Sequence, residues 1–128
     1  MGTAIIKVID ASAFVALMFD EPEAATIAAR LVDAQLVAPR LLEFELASAC
    51  LRKMRQTPDQ RDRLLAAYRA RPHLRVETLD VDHLAVVVLA ERSRLSAYDA
   101  SYLWLAQSVG AELVTLDRKL DAAARRIQ

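Results

Sequence analysis

The sequence has little cysteine and little glycine, and these shortages narrow the classes of protein that it can encode. Cys50 is the only cysteine among the 128 residues, so no internal disulfide can form. A reducing compartment such as the cytoplasm is the simplest expectation. With two glycines and four prolines, the chain shows no linker, no low-complexity segment and no glycine-rich phosphate loop. We therefore expect a single domain over residues 1–128.

The chain also lacks a net charge and a long apolar run. Its 17 basic and 17 acidic residues cancel, so binding to nucleic acid through bulk positive charge is not expected. Contact with RNA would have to be local, as at a site where metal ions attract phosphate. No segment reaches the ~20 apolar residues of a membrane span, and the N-terminal residues do not resemble a signal peptide. We expect no membrane association.

What the chain does have is an alternation of short apolar strands and helices. Strands are predicted at residues 4–9, 36–38, 74–79 and 111–116, of which the first and last are the most apolar. Helices are predicted at 12–19, 22–34, 40–56, 58–70, 80 or 82 to 94, 98–109 and 118–126. This order is typical of an α/β fold with a parallel sheet that is covered on both faces. Ligands of such sheets bind beyond the carboxyl ends of the strands.

An aspartate follows each of the two most apolar strands. Asp10 comes directly after residues 4–9, and Asp117 comes directly after residues 111–116. Both strands are expected in the centre of the sheet because both are apolar throughout. If they run parallel, the two carboxylates emerge at the same edge. Each aspartate could instead simply cap the helix that follows, and Ser12 is another candidate for the first of these caps.

Two more acids stand in apolar helices. Glu45 lies within LLEFELASACL, and Asp99 lies in the first turn of the helix in SAYDASYLWLA. A lone buried carboxylate is costly unless it is paired or binds a metal. Alternatively, Glu45 could pair with Arg52 or Arg55 on an exposed stripe, and Asp99 could be an ordinary acidic residue at a helix start.

Four carboxylates gathered at one place would suit divalent cations. Mg²⁺ and Mn²⁺ prefer hard oxygen ligands, and carboxylates are their main source in proteins. Such ions draw in a phosphodiester, lower the pKa of an attacking water and stabilise the leaving oxygen. Without cations the acids would repel one another and RNA, and some would take up protons. A cluster of this kind is electrostatically reasonable only with cations bound.

Four segments resemble the motifs of the PIN-domain family, in the family's order and spacing. They are VIDASAFVALMFDEPE, APRLLEFELASACLRK, LSAYDASYLWLA and LVTLDRKL. The first has an aspartate after a strand with a serine nearby, and the second is a proline-led helix that carries a glutamate. The third has an aspartate opening a helix, and the fourth has an aspartate after a strand with a threonine two residues earlier. The resemblance covers nearly the whole chain.

The resemblance implies a PIN-like three-layer α/β/α sandwich with a four- or five-stranded parallel sheet. The number of strands stays open between four and five because many members of the family have a last short strand, whereas this sequence stops at ARRIQ. It also implies that Asp10, Glu45, Asp99 and Asp117 are the catalytic and metal-binding acids. In the second motif Glu43 competes with Glu45, and Glu45 is preferred because it directly precedes the small residues LASA.

Further residues take roles from the same resemblance. Ser12 and Thr115 are expected to support a carboxylate or a metal-bound water. Arg118 and Lys119, just past Asp117, could touch RNA phosphate or could be solvated helix residues. The cofactor implied is Mg²⁺ or Mn²⁺.

The short length and the lack of added domains are similar to VapC-like toxins of the family. This similarity implies a metal-dependent endoribonuclease that acts as the toxin of a toxin–antitoxin pair. It also implies a homodimer, and a small antitoxin that places a basic side chain near the acidic pocket.

Other functions fit the sequence less well. A receiver domain of a response regulator needs adjacent acids after its first strand, whereas Ala11 follows Asp10. A phosphatase with an aspartate nucleophile needs a second aspartate two residues later, where Ser12 stands. A catalytically silent PIN scaffold would not need four carboxylates.

Tyr102 and Trp104 are expected to pack in the core or at a dimer face rather than to stack on bases.

Overall fold

A parallel four-stranded sheet forms the centre of the computed structural model, which describes residues 5–127. The strands are β1 (Ile5–Ile9), β2 (Ala34–Pro39), β3 (Val76–Leu79) and β4 (Glu112–Val114). Their order is β3-β2-β1-β4, and each neighbouring pair is parallel. The expected parallel α/β sheet is therefore confirmed. No fifth strand occurs within residues 5–127.

Seven α-helices and two short 3-10 turns connect and cover the strands within the described part of the chain. The helices are α1 (Ala11–Met18), α2 (Ala24–Arg30), α3 (Leu42–Gln56), α4 (Arg61–Arg69), α5 (His83–Ser93), α6 (Ala97–Val109) and α7 (Arg118–Ile127). The 3-10 turns are Pro58–Gln60 and Arg71–His73. None of the helices in residues 5–127 is long and apolar enough to cross a membrane.

The helices form two packed groups, one for each face of the sheet. Helix α6 packs against β1 and β2, with α5 and α7 beside it. Helix α1 packs against α2 and α3, and α3 packs against α4. Apolar residues at helical spacing explain this: Leu42, Leu46 and Ala49 of α3 are all buried. Val8 and Ile9 of β1 are fully buried in the central layer. The arrangement is a three-layer α/β/α sandwich.

The prediction of a central strand at 111–116 is wrong about its C-terminal end and about its place in the sheet. Strand β4 stops at Val114, because backbone amides that follow it donate to side chains and not to a neighbouring strand. The Leu116 amide donates to Ser12 Oγ, and the Asp117 amide donates to Thr115 Oγ1. Strand β4 also lies at the edge of the sheet, beside β1, and not in the centre.

Other predicted boundaries shift by a few residues. The helix expected from Pro22 covers only Ala24–Arg30, because Asp33 adopts a left-handed turn (φ 61°) that leads into β2. The helix expected at 58 begins with a 3-10 turn. Asp82 caps α5 through its Oδ1, which accepts from the Ala85 amide at 3.1 Å. Ala4, the first residue of the strand predicted at 4–9, lies outside the described residues.

Candidate active site

Asp10 stands at the carboxyl end of the central strand β1 and is almost fully buried. Its Oδ1 accepts from Ser12 Oγ at 2.7 Å and from the Ala13 amide at 3.0 Å. Its Oδ2 accepts from Thr115 Oγ1 at 2.5 Å. Asp10, and not Ser12, is thus the N-cap of α1. The capping and the site roles that the sequence left open for Asp10 are compatible, because the same carboxylate caps α1 and faces Thr115.

Two hydroxyl groups connect Asp10 with the loop after β4. Ser12 Oγ lies 3.3 Å from Thr115 Oγ1. Each hydroxyl also accepts from a backbone amide of this loop, Ser12 from Leu116 and Thr115 from Asp117, both at 2.9 Å. The half-buried Asp117 side chain accepts from the Leu120 amide at 3.0 Å, so it caps α7. The loop that carries Asp117 is therefore held against the end of β1.

Glu45 lies in α3 with its side chain half-buried. Its Oε1 accepts from the hydroxyl of Tyr102 in α6 at 2.6 Å. The alternative of an ion pair with Arg52 or Arg55 is not found among the described residues. The competing acid Glu43 is exposed and forms an ion pair with Arg71, at 3.5 Å. Glu45 and Glu43 thus have different surroundings, although they stand only two positions apart in the sequence.

Asp99 occupies the first turn of α6 but does not cap it. Ser96 is the cap, since its Oγ accepts from the Asp99 amide at 3.0 Å. A hydrogen bond with the Ser96 side chain lowers the pKa of the Asp99 carboxyl, against the larger effect of burial, which raises it. Asp99 therefore lies at the helix start, as the alternative of an ordinary acidic residue there also predicts, and its carboxylate is half-buried.

Electrostatic repulsion connects Asp10, Glu45 and Asp99 with one another, and it connects Asp117 with Asp99. Burial raises the pKa of Asp10, Glu45 and Asp99 above the ordinary values of carboxyl groups. Repulsion adds to this effect, because the charge of Asp99 raises the pKa of Asp10, and the charges of both raise the pKa of Glu45. The charge of Asp117 raises the pKa of Asp99 in the same way. The four side chains therefore form one acidic cluster at the carboxyl edge of the sheet, which we call the acidic cluster below.

The model of the PIN domain family matches residues 7–126, nearly the whole chain. The chain belongs to the PIN-domain family. Ribonuclease VapC9 of Mycobacterium tuberculosis and VapC ribonuclease Mb0985 of Mycobacterium bovis are similar to it. Each is 39% identical over 118 residues, which cover 88% of this chain and 87% of the relative. The crystal structure of PAE2754 from Pyrobaculum aerophilum covers 98% of this PIN domain and 89% of its own chain, with a TM-score of 0.77 and 25% identity.

The donor atoms of the acidic cluster fit a hard divalent cation. Carboxylate and hydroxyl oxygens surround Asp10, without a histidine or cysteine among the contacts described above. Within residues 5–127, no three His, Cys, Asp or Glu side chains are grouped tightly enough to hold an ion by themselves. Mg²⁺ does not need such a cage, since it usually binds one or two carboxylates and completes its shell with water and substrate phosphate. The cluster fits Mg²⁺ or Mn²⁺ better than zinc.

An open groove of about 670 Å³ adjoins Glu45 of this PIN domain. Ser12 and Glu45 line it together with Arg52, Phe44 and Tyr98. Phe44 is 81% exposed and Tyr98 is 67% exposed. Of the four acids, Glu45 thus borders a surface that is open to a large substrate.

Sequence reasoning missed two residues of the site. Tyr102 was expected to pack in the core or at a dimer face; it is buried within the chain, and its hydroxyl also holds Glu45. Ser96 was not recognised as the cap of α6, which it is. The signal for Tyr102 was its position one helical turn after Asp99, on the same side of α6. Arg118 and Lys119, for which RNA contact and a solvated helix position both remain open, are both exposed. The charge of Lys119 acts to lower the pKa of Asp99, against the larger effect of burial.

Proposed function

We propose that this PIN domain is an Mg²⁺- or Mn²⁺-dependent endoribonuclease that hydrolyses RNA phosphodiester bonds. The observation that carries the proposal is the electrostatic repulsion within the acidic cluster, where the pKa values of Asp10, Glu45 and Asp99 are raised and the charge of Asp117 acts on Asp99. Such a cluster is costly in a protein that has no use for cations, because burial and repulsion both oppose its negative charge. The homologous relatives named above are ribonucleases.

In this proposal the four acids hold the cation together with water and substrate phosphate, and neighbouring donors fix the directions of Asp10, Glu45 and Asp117. A bound divalent ion would supply an activated water and neutralise charge on the phosphate. Ser12 and Thr115 orient the two oxygens of Asp10. The Leu120 amide binds Asp117 Oδ1, and no protein donor within residues 5–127 binds Oδ2. Glu45 likewise has Oε2 free of protein donors within that range. These free oxygens are the ones available to a cation.

RNA would contact the protein locally, since the net charge of the chain is zero. We assign this contact to Arg118 and Lys119, whose exposed side chains begin α7 directly after Asp117. Cationic side chains there would hold phosphates next to the acidic cluster, where the protein alone would repel them.

We further propose that the chain, residues 1–128, is a single domain that acts as the toxin of a toxin–antitoxin pair in the cytoplasm. The support is its likeness to VapC ribonucleases over 88% of its length. A small antitoxin would neutralise it by placing a basic side chain at the acidic cluster, and the active form would be a homodimer. The side chains of Leu84, Val87 and Val88 are exposed along α5 and offer apolar area to protein partners.

Replacing Asp10 with asparagine tests the nuclease directly. Asparagine caps helices as well as aspartate does, so Asp10→Asn should fold normally. We expect cleavage of a fluorogenic RNA to fall by at least about 100-fold, because an oriented cation ligand is lost. Circular dichroism would verify the fold, and Asp59→Asn, a change in an exposed turn, should leave cleavage unchanged. Normal cleavage by folded Asp10→Asn would refute the assignment.

Removing the metal gives a second expected outcome for the same activity. EDTA should stop cleavage by the wild-type chain, and Mn²⁺ or Mg²⁺ added in excess should restore it. Cleavage that persists in EDTA after dialysis would contradict a metal-dependent reaction. A wild-type chain that is inert with every divalent ion would point to the catalytically silent scaffold.

A further inference from the structure

We propose that Tyr102 is a positioning residue for the carboxylate of Glu45, and that its hydroxyl sets the affinity of the site for a divalent cation. The proposal rests on the proposed function, in which Glu45 is a cation ligand. It goes further by assigning a task to a buried residue outside the four acids.

The position of Tyr102 is fixed by the fold. Its side chain is 1% exposed, and it belongs to α6, the helix that packs directly on β1 and β2. Its hydroxyl donates to Glu45 Oε1 at 2.6 Å, a short hydrogen bond of the strength typical for an ionised acceptor. A donor held in this way, in a helix anchored to the sheet, defines where the carboxylate of α3 points.

The hydroxyl group suits this task because it has no charge. An arginine or lysine at this place would also bind Glu45, but its positive charge would repel the cation that the acid is to hold. The phenol occupies Oε1 and leaves the negative charge of the carboxylate in place. Within residues 5–127, Oε2 accepts from no protein donor, so it is the oxygen presented to the cation.

The same device occurs at Asp10, which supports the inference independently. Two hydroxyls, those of Ser12 and Thr115, bind the two oxygens of Asp10. Asp99 and Tyr102 stand one helical turn apart on the same side of helix α6. One turn of this helix therefore supplies one acid of the cluster and orients another acid, which belongs to α3.

The test is a titration with Mn²⁺ followed by electron paramagnetic resonance, in the absence of RNA. Tyr102→Phe keeps the buried ring and removes only the hydroxyl. We expect it to weaken Mn²⁺ binding by about tenfold, as is usual when the partner of a metal ligand is lost. Tyr68→Phe is the matched control, since Tyr68 is a half-buried tyrosine whose ring lies under Arg71. This control should bind Mn²⁺ with the affinity of the wild type.

A double change separates positioning from packing. If Tyr102 acts through Glu45, Tyr102→Phe should add no further loss of affinity in a Glu45→Gln chain. A general packing defect would weaken binding equally in both backgrounds and would overturn the proposal.

A pair of variants of equal size keeps the test decisive if Tyr102→Phe does not fold. Tyr102→4-aminophenylalanine retains a donor at the position of the hydroxyl, and Tyr102→4-methylphenylalanine fills the same space without one. The first should restore Mn²⁺ affinity and the second should not. Equal affinities of the two, or a folded Tyr102→Phe with wild-type affinity, would overturn the positioning role alone. A wild-type chain that binds no Mn²⁺ would overturn the proposed function itself, and this inference with it.

Discussion

Uncharged donors, and not cations, hold the acids of this site in place. Backbone amides and hydroxyl groups bind Asp10 and Asp117, and a phenol binds Glu45. Each of these donors satisfies an oxygen without cancelling its charge. Elsewhere the chain uses ion pairs, as between Arg30 and Glu112 at 2.6 Å, where the pKa of Glu112 is lowered. The acidic cluster is thus kept unneutralised by the protein, which is the state that a cation site requires.

The unneutralised charge predicts that Asp99→Asn stabilises the metal-free protein. The change removes a charge that repels Asp10 and Glu45, and the Ser96 cap on the Asp99 amide is unaffected. We expect thermal unfolding in EDTA at neutral pH to shift upward by about 2–4 °C.

Two comparisons make this result specific. Asp62→Asn, in a fully exposed side chain, should leave the unfolding temperature unchanged. Saturating Mn²⁺ should stabilise the wild type more than Asp99→Asn, because the wild type retains a ligand. A lower unfolding temperature for Asp99→Asn in EDTA would show that the acids do not strain the fold.

At the scale of the elements, two helices end in the same left-handed backbone conformation with different residues. Arg94, the residue after α5, has φ 58°, and Gly110, the residue after α6, has φ 64°. Glycine adopts this conformation without steric cost, whereas a residue with a Cβ is strained by about 1 kcal/mol. Glycine, the residue that suits this conformation, therefore follows α6 but not α5.

This difference predicts opposite effects for two single changes. Gly110→Ala should lower the free energy of unfolding by about 1 kcal/mol, and the loss is conformational because a Cβ there would meet nothing within 4 Å. Arg94→Gly should raise it by roughly 0.5 kcal/mol, since relief of strain outweighs the greater freedom of glycine in the unfolded chain. Urea unfolding monitored by circular dichroism measures both changes. Shifts in the same direction would contradict the explanation.

The elements themselves follow from local patterns, and their ends follow from contacts. The apolar runs predicted β1 and β4, and Gly110 predicted the end of α6. The end of β4 at Val114 could not be predicted, because it depends on hydrogen bonds from the following loop to Ser12 and Thr115. Nor could the edge position of β4, because an apolar strand at an edge can be covered by helices on both faces.

The acids of the candidate site can also be selected from local patterns in the sequence. Asp10 and Asp117 follow apolar strands, and Glu45 and Asp99 interrupt apolar helices, so each is conspicuous in the sequence. The partner of Glu45 was not predictable with equal ease. Tyr102 looks like any buried aromatic residue until α3 and α6 are placed side by side.

For the whole molecule, the acidic cluster predicts how stability depends on pH without metal. The raised pKa values of Asp10, Glu45 and Asp99 mean that the folded chain binds these protons more tightly than the unfolded chain. The free energy of unfolding should therefore rise as the pH falls from neutral toward the ordinary glutamate value of 4.5. Below that value the gain should reverse, because Glu112 loses its ion pairs with Lys7 and Arg30.

Urea titrations at several pH values in EDTA measure this dependence. Asp99→Asn should flatten the rise, because it removes one proton-binding acid and part of the repulsion that raises the pKa of Asp10 and Glu45. Saturating Mg²⁺ should flatten it as well, because the cation takes the place of the protons. A stability that falls steadily from neutral pH in EDTA would contradict the raised pKa values.

The pairing of β4 with β1 also governs when the site can exist during translation. Until β4 and its loop have been synthesised, the growing chain lacks Asp117, and Asp10 lacks the Thr115 hydroxyl that binds one of its oxygens. An incomplete polypeptide released from a stalled ribosome has only part of the acidic set. The four acids are therefore present together only once the loop after β4 has been made.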